Sequence, residues 1–462
     1  MERAALPGRT HGASAAPESV PAETASTTAS GAKAPERAEP RAHKLWLAAF
    51  VIVLLGKFAD WVPGLAGLPV AKVAILFALL FSWRARSTLA TVRVRSLPIA
   101  RLALAFLTLA LVSIGFSAYI SMSVSVVYLV VVLMISFVLL LKITQTLSDV
   151  ERLLLALCAA AAGLTLGGLL SFGGGRMSVS ENIDPNDLAY GLVTVLPISR
   201  ALVVTTKKRG RRLLLRGLSA AMLIAILLTG SRGGALGLGT VILLSAAFPL
   251  KFGKTAELKP FRIGRFIAVI GLIAALGAGL WGNLPTETRE RMATLVDLGH
   301  DYNAGTSKSS RSAIWIRNSK AVWSRPIGYG IGTSEYVDGL TGGNFRALHN
   351  SFVQAFVELG VLGLLLFCAN YLVTLKWLGR VSALGRRSPP EGESVSAPAA
   401  ESAPASLYAR AIRIGLAGNM VSGFFLSQAY SELLWTVIAI SAALVRISLP
   451  MAEGSDEMTP RT

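Results

Sequence analysis

The chain has 462 residues, of which 53% are hydrophobic and 15% are charged, and its mean hydropathy is +0.58. This composition is too apolar for an ordinary soluble protein, in which about a quarter of the residues are charged. The net charge of +19 does not indicate a nucleic-acid partner, because the basic residues are concentrated in short segments between apolar runs, where they act as a topology signal.

Residues 1–43 are rich in Ala, Pro, Glu, Ser and Thr and contain no apolar run. Such a segment buries too little apolar surface to form a core, so it predicts a disordered tail. The first apolar run begins near Leu45, and it predicts a first membrane helix rather than a signal peptide.

From residue 44 onward, apolar runs recur with the length that a bilayer core requires, about 17–25 residues. They predict an all-α, polytopic membrane protein with about twelve transmembrane helices and one large periplasmic loop. The predicted spans are 45–61, 64–82, 102–119, 122–141, 153–171, 187–206, 217–231, 233–250, 266–282, 351–375, 410–427 and 431–448. The first nine lie within 44–282, the loop covers 283–350, and the last three lie within 351–450. Residues 376–409 predict a flexible cytoplasmic linker, and 451–462 a cytoplasmic tail.

The distribution of Lys and Arg predicts that both termini are cytoplasmic. With the 1–43 tail inside, the strongly basic short segments, among them KKRGRRLLLRG and KFGKTAELKPFRIGR, all fall on the cytoplasmic side. The outside turns near Asp60, Ala118 and Tyr430 contain almost no basic residues, as the positive-inside rule requires.

Two predicted outside segments are much longer than turns, residues 171–191 and 283–350. The second carries eight Lys or Arg residues against six Asp or Glu residues. Topology does not explain basic residues on this side, so they favour an anionic ligand in a loop that carries the function.

Arg232 lies in LLTGSRGGALGLG, where a glycine-rich turn interrupts two apolar runs at the outer membrane face. An arginine at this depth requires a partner or a water-filled cavity. The segment is interpreted in two ways that the sequence leaves open: Arg232 binds a phosphate through its planar guanidinium, or it extends from a tight turn to the lipid head groups.

The segment SSRSAIWIRNSKAVWSRPIGYGIGTSEY predicts a short amphipathic helix that ends at Pro326, with Trp315 and Trp323 as head-group anchors. Three glycines at every second position follow, Gly328, Gly330 and Gly332. Their backbone N–H groups could approach a phosphate, but a plain turn is the commoner structure for such a motif.

HNSFVQAFVELG begins with His349, at the outer end of the predicted tenth span. Histidine titrates near neutrality and is the usual general base, whereas the structural alternative is that His349 and Asn350 cap the helix. Glu358 is nine residues on, on the opposite helix face, so it is not an orienting partner of His349. A buried glutamate favours a functional role by default, but a bridge to a neighbouring helix is as good an interpretation.

The 171–191 segment adds Arg176 and the DPND sequence. Asp184, Asn186 and Asp187 could bind a divalent metal, but capping of the helix that begins near Leu188 by Asp184 or Asn186 is the more common role. We find no sequence motif for a metal site, for ATP or for another cofactor.

In chain order, TGSRGGALGL, SSRSAIW, RPIGYGIGTSEY and HNSFVQAFVELGVLGLLLF resemble the O-antigen ligase and polymerase family of bacterial envelope membrane proteins. DPNDLAYGL is similar to an asparagine motif that this family carries before a span. The resemblance covers roughly residues 170–375 by motif, and the whole chain by its twelve-span layout.

The resemblance implies a bacterial inner-membrane enzyme that moves a glycan from an undecaprenyl-diphosphate carrier to an acceptor hydroxyl at the periplasmic face. The acceptor is lipid A–core in ligases and a growing carrier-linked glycan in polymerases, and the sequence leaves both open. The resemblance implies an inverting, metal-independent mechanism, with no metal and no cofactor. It also implies membrane lipid as a partner.

By the same resemblance, His349 is the general base. The diphosphate ligands are Arg232, Arg311 and Arg176, and the supporting residues are Asn350, Asn186 and Glu358. An acidic residue that the family carries near the last spans has no clear match, and Glu432 is the nearest candidate. A transporter is a less favoured alternative because no second glycine-interrupted segment repeats in the other half, and a catalytically inactive scaffold would keep the same motifs.

Overall fold

The computed structural model describes residues 42–65, 68, 70–84, 94–250, 310–385 and 397–456, together with residues 271, 282, 286, 289 and 290. These ranges contain α-helices and short 3-10 turns and no β-strand. The helices are α1 Ala42–Gly56, α2 Val70–Arg84, α3 Pro98–Val112, α4 Ile120–Ile143, α5 Leu147–Leu170, α6 Pro185–Thr205, α7 Arg209–Leu228, α8 Arg232–Ala247, α9 Arg311–Ser324, α10 Ser334–Leu340, α11 Ser351–Leu384, α12 Ala397–Gly423 and α13 Glu432–Asp456.

Helices are found at eleven of the twelve predicted spans. The ninth span, 266–282, lies outside the described residues apart from positions 271 and 282. Within the described ranges, six helical stretches are long and apolar enough to cross a membrane: α3 with its following 3-10 turn, α4, α5, α6, α11 and the first part of α13. The all-helical, multi-pass class is therefore confirmed, whereas the number of twelve and the periplasmic side of the loop stay predictions.

The predicted linker 376–409 contains the end of α11 and the beginning of α12, and its residues 386–396 lie outside the described ranges. α11 continues past the predicted end at residue 375 because Leu378 and Val381 are buried. Ser382 and Ser406 join the two helices through a hydrogen bond of 2.7 Å between the Ser406 hydroxyl and the Ser382 carbonyl.

The centre of the assembly is formed by α6 and α13, the most deeply buried of the candidate spans. α12 packs against α6, α8 and α11, and so joins the helices that carry the predicted site. A buried polar bridge lies among them: Tyr371 donates to Asn419 Oδ1 at 2.7 Å, and Asn419 Nδ2 donates to Thr194 Oγ1 at 2.9 Å. Such interhelical hydrogen bonds satisfy polar groups that apolar surroundings would otherwise leave without partners.

The turns predicted to lie outside the membrane meet at one end of this assembly, which we call the site end. The Met177 N–H donates to the Leu228 carbonyl at 3.0 Å, and the Ala118 N–H donates to the Tyr329 carbonyl at 2.8 Å. The first bond joins the segment between α5 and α6 to the end of α7. The second joins the turn after α3 to the segment after α9.

The segments predicted to be cytoplasmic meet at the opposite end. Lys44 at the beginning of α1 pairs with Asp149 at the beginning of α5, with 3.1 Å between Nζ and Oδ2. Arg410 in α12 donates to the carbonyl of Pro249 after α8 at 2.7 Å. Both contacts join segments that the basic loops predict to lie on the same side of the membrane.

α11 is broken at Gly360, whose backbone (φ 68°, ψ −162°) lies in a region that is almost restricted to glycine. A segment of the loop, residues 326–332, which we call the glycine strap, replaces the helical hydrogen bonds lost at the break. The N–H groups of Tyr329 and Gly330 donate to the carbonyls of Val357 and Glu358 at 3.0 and 2.8 Å. Because a membrane supplies no water to unpaired backbone groups, these bonds are what permits the break.

The three glycines of the strap all have positive φ angles, between 76° and 96°. A Cβ atom at Gly328 would overlap the backbone of Glu358 and Gly360, and one at Gly330 would lie 2.7 Å from Ser117 Cα. The alternation of glycines is thus explained by close backbone packing. The N–H groups of Gly330 and Gly332 donate to Glu358, and that of Gly328 donates to the Arg325 carbonyl. Since all three already have acceptors within the protein, the phosphate-loop interpretation is not supported.

Candidate active site

His349 lies immediately before α11 rather than in it, and its backbone is left-handed (φ 47°). The N-cap is Asn350, whose side-chain oxygen accepts from the N–H groups of Phe352 and Val353 at 2.9 and 3.0 Å. Capping by Asn350 is therefore confirmed, and the imidazole of His349 is left outside the helical hydrogen-bond pattern. The His349 N–H donates to Ser427 Oγ at 2.9 Å, which ties the residue to the turn between α12 and α13.

Burial lowers the pKa of His349 below its ordinary value, and the positive charge of Arg311 lowers it further, while the Asp184 carboxylate acts in the opposite direction. His349 is therefore neutral around pH 7, as a general base must be. The same interactions show that Arg311 and Asp184 lie within electrostatic reach of the imidazole.

Arg311 is the first residue of α9, where the Ser310 hydroxyl caps the helix by accepting from the Ala313 N–H at 3.3 Å. The guanidinium of Arg311 donates to the Phe425 carbonyl at 3.4 Å. The side chain of Phe425 packs on Gly233, where a Cβ atom would lie 3.0 Å from Phe425 Cβ. Arg311 and the beginning of α8 therefore meet at one residue of the α12–α13 turn.

Arg232 is the first residue of α8, and Ser231 caps this helix by accepting from the Gly234 N–H at 3.1 Å. The N-terminus of a helix carries a partial positive charge, so α8 and the guanidinium both favour an anion at this point. A Cβ atom at Gly234 would lie 2.5 Å from Ala189 Cβ. The glycines of the GSRGG turn thus allow α8 to approach α6 closely, beside the partly buried Arg232.

Arg176 joins the segment before α6 to the turn after α7. Its Nε donates to the Thr229 carbonyl at 2.9 Å and its Nη2 donates to Asn186 Oδ1 at 3.2 Å. Asp184 caps α6 by accepting from the N–H groups of Asn186 and Asp187 at 2.6 and 2.8 Å. Helix capping by Asp184 is confirmed, and the helix begins at Pro185, three residues before the predicted position.

The turn between α12 and α13, residues 424–431, contacts His349, Arg311, Gly233 and Asp187, and we call it the connector turn. Ser427 binds the backbone of His349, and the Phe425 carbonyl accepts from the arginine of α9. Gln428 Nε2 donates to Asp187 Oδ1 at 2.7 Å. The sequence predicts only a short outside turn here. The residues that the turn contacts lie far away in the chain, so the local sequence does not reveal these contacts. The polar residues of SQAYS between two spans are the signal that could have indicated a larger role.

Asp338 in α10 shapes the chain that leads to His349. It is fully buried and accepts from the side chains of Arg317 and Asn318 and from the N–H groups of Asn344 and Arg346. Burial alone would raise the pKa of Asp338, but these bonds and the Arg317 charge outweigh it and lower the pKa below its usual range. The turn before His349 is therefore fixed around one buried carboxylate.

Trp315 and Trp323, predicted as head-group anchors, differ in their surroundings. The Trp315 indole N–H donates to the Leu348 carbonyl at 2.6 Å, so this side chain fixes the residue before His349. Trp323 is 72% exposed and is the one of the two that fits an interfacial anchor.

Glu358 is fully buried in α11, where its Oε2 accepts from the Gly332 N–H at 3.0 Å. Glu358 therefore bridges to the glycine strap. Among the described residues, no hydrogen bond or ion pair joins it to His349 or to the arginines, so a supporting role for Glu358 acts through the strap.

Within the described ranges, no three His, Cys, Asp or Glu side chains come together in a way that could hold a metal ion. Residues 291–309 of the large loop, with His300, lie outside the described residues. The arrangement at the site end is thus one partly buried histidine, three arginines and two helix N-termini.

Residues 217–368 match the family model described as O-antigen ligase. The family resemblance predicted from the sequence is confirmed over this segment, which is about a third of the chain. A search of curated proteins gives no match. The matched segment contains Arg232, Arg311 and His349, whereas Arg176, Asn186 and the connector turn lie outside it.

Proposed function

We propose that this protein is a membrane glycosyltransferase that moves a glycan from an undecaprenyl-diphosphate carrier to an acceptor hydroxyl at the periplasmic face, as an O-antigen ligase does. The observation that carries the proposal is the convergence of His349 and Arg311 with the N-terminus of α8 on the connector turn. A base beside a cluster of cations is the set of groups that this reaction requires.

The proposed role of Arg232, Arg311 and Arg176 is to bind the diphosphate. A diphosphate leaving group departs with its negative charge, so fixed positive charge lowers the barrier without a general acid. The guanidinium group suits this role because its planar fork of N–H donors matches phosphate oxygens. The helix N-terminus at α8 adds backbone N–H groups that favour the same charge.

The proposed role of His349 is to take the proton of the acceptor hydroxyl. As the hydroxyl oxygen forms its bond to the anomeric carbon, the bond from that carbon to the diphosphate oxygen breaks on the opposite face, and the product is inverted. The reacting sugar acquires oxocarbenium character, as in other glycosyl transfer. The lowered pKa of His349 keeps the imidazole neutral and ready to accept the proton. No step requires a metal or a cofactor.

The proposal is tested with the purified full-length chain in detergent, a lipid-diphosphate-linked oligosaccharide and EDTA. One reaction contains lipid A–core as the acceptor, and a second contains no other acceptor. Glycan on lipid A–core is the expected result. Lengthened carrier-linked glycan in the second reaction would instead assign polymerase activity, with the same carrier chemistry. A folded protein that binds the donor but transfers nothing in either reaction would contradict the enzyme proposal and favour a transporter.

A further inference from the structure

A cavity lies beside the candidate active site, between α1, α5, α6 and the beginning of α13. We call it the side cleft, and its enclosed interior measures about 80 Å³, or about 610 Å³ when its open mouth is included. Its wall is formed mainly by apolar side chains, among them Leu55, Leu157, Leu164, Val195 and Leu433. Along α6 it extends from Asp187 to Val195, about 12 Å at the helical rise per residue.

The mouth of the side cleft is charged, in contrast to its wall. It is lined by Lys57, Asp187, Gln428 and Glu432. Lys57 and Asp187 interact through their charges. Among the described residues, however, no ion pair within 4.0 Å joins Lys57 to either carboxylate. One oxygen of Asp187 accepts from Gln428 at 2.7 Å. The mouth therefore offers one cation and two carboxylates to a ligand.

This combination of charges differs from that of the arginine cluster. A diphosphate carries only negative charge, which three arginines complement and two carboxylates repel. A head group with one phosphate diester and one ammonium complements both kinds of charge at the mouth. A hydrocarbon chain attached to that head group complements the apolar wall.

We propose that the side cleft binds a zwitterionic aminophospholipid. One acyl chain lies along α6 toward Val195, the phosphate lies at Lys57, and the ammonium group donates to Asp187 and Glu432. This site is separate from the proposed transfer reaction. It gives the enzyme a requirement for a bilayer lipid at the face of α6 that lies away from α8.

Gly191 supplies a variant that fills the cleft. It lines the cavity, and a Cβ atom there would meet only Leu433, at 3.9 Å. Gly191→Leu should therefore occupy the acyl-chain space without displacing backbone. Gly217→Leu in α7 is the matched control, because a Cβ atom at Gly217 has no neighbour within 4 Å. Glu432→Gln keeps the shape of the mouth and removes one charge.

The test uses the full-length protein, stripped of lipid in detergent, with added phosphatidylethanolamine or phosphatidylglycerol. Lipid retention is read by native mass spectrometry, and the midpoint of thermal unfolding is read in parallel, since a ligand that binds only the folded state raises it. We expect the wild type and Gly217→Leu to retain one phosphatidylethanolamine more than Gly191→Leu does. Glu432→Gln should lose at least tenfold in affinity for phosphatidylethanolamine.

Equal or stronger retention of phosphatidylglycerol by the wild type would overturn the zwitterionic assignment. Retention that is the same in Gly191→Leu and the wild type would overturn the location. If Gly191→Leu does not fold, an affinity of Glu432→Gln equal to that of the wild type overturns the proposal by itself. Because no readout depends on glycan transfer, failure here is distinguishable from failure of the proposed function.

Discussion

His349 receives two opposite electrostatic influences from residues that belong to different elements, Arg311 of α9 and Asp184 before α6. Since the arginine favours the neutral imidazole and the carboxylate favours the charged one, the acid limb of the pH–rate profile should report both. The sequence identifies His349 and Arg311 by resemblance. It does not predict the influence of Asp184, which depends on contacts across 165 residues of chain.

The first prediction concerns the protonation of this base. Arg311→Gln removes a positive charge that lowers the pKa of His349, so the acid limb of kcat/KM should move to higher pH. Asp184→Asn should move it to lower pH, and asparagine still caps α6 because it is as good an N-cap as aspartate. Both shifts are measured as the pH dependence of kcat/KM, which reports the free enzyme. A profile that neither substitution moves would contradict the assignment of His349.

The second prediction concerns Asp338. Asp338→Asn removes the buried charge that accepts from Arg317, Asn318 and two backbone N–H groups, so it should lower the free energy of unfolding by roughly 1–3 kcal/mol. Glu335→Gln is the control, because Glu335 is exposed on the same short helix. Since the pKa of Asp338 is lowered in the folded protein, its stabilisation is present above the ordinary aspartate pKa and is lost as the pH falls through the lowered value. Thermal unfolding of both variants at neutral pH measures the difference, and equal midpoints would contradict the role of Asp338.

At the scale of elements, the apolar runs predict where the helices lie, because burial and bilayer thickness both act on the local sequence. The ends are predicted less well, since α7, α11, α12 and α13 extend well beyond their predicted spans. The glycine strap is not predictable in this way. Tyr329 and Val357 are 28 residues apart, and their bond exists only because α11 is broken at Gly360. The sequence marks the strap with alternating glycines but does not reveal which backbone they approach.

The third prediction tests this break. Gly360→Ala forces alanine into a backbone region that costs about 1–3 kcal/mol, and its Cβ atom would overlap the Pro326 carbonyl. We expect a lower unfolding midpoint and a loss of transfer activity. Gly379→Ala in the same helix is the matched control, because its Cβ atom would meet only the Arg413 side chain, at 3.4 Å. If both variants unfold at the same temperature, the strap does not depend on the break.

At the scale of the whole molecule, the candidate site combines segments from four parts of the chain: residues 176–187, the turn before α8, residues 311–350 and the connector turn. The order of the motifs indicates the first three. Because an even number of predicted spans separates them, the sequence also predicts that they lie at the same end of the helices. The connector turn lies outside the family match at residues 217–368. It reaches the site because α12 packs against α6 and α11 and because α13 packs against α11.

The fourth prediction concerns orientation. Glu181 at the site end and Lys208 at the opposite end are both exposed. In cells with a permeable outer membrane, Glu181→Cys should react with a membrane-impermeant maleimide, and Lys208→Cys should react only after lysis. The unsubstituted protein is the control, with Cys158 and Cys368 inside candidate spans. Labelling of Lys208→Cys alone in intact cells would reverse the proposed orientation.

The central claim is that His349 is the general base of glycan transfer, and His349→Asn tests it most directly. Asparagine tolerates the left-handed backbone of this position, so the substitution removes the base and preserves the turn. In single-turnover reactions with a lipid-diphosphate-linked glycan, we predict a rate lower by about 10²–10⁴-fold, with the affinity for the carrier and the unfolding midpoint unchanged. A rate equal to that of the wild type would show that another group takes the proton, and the proposed mechanism would be wrong.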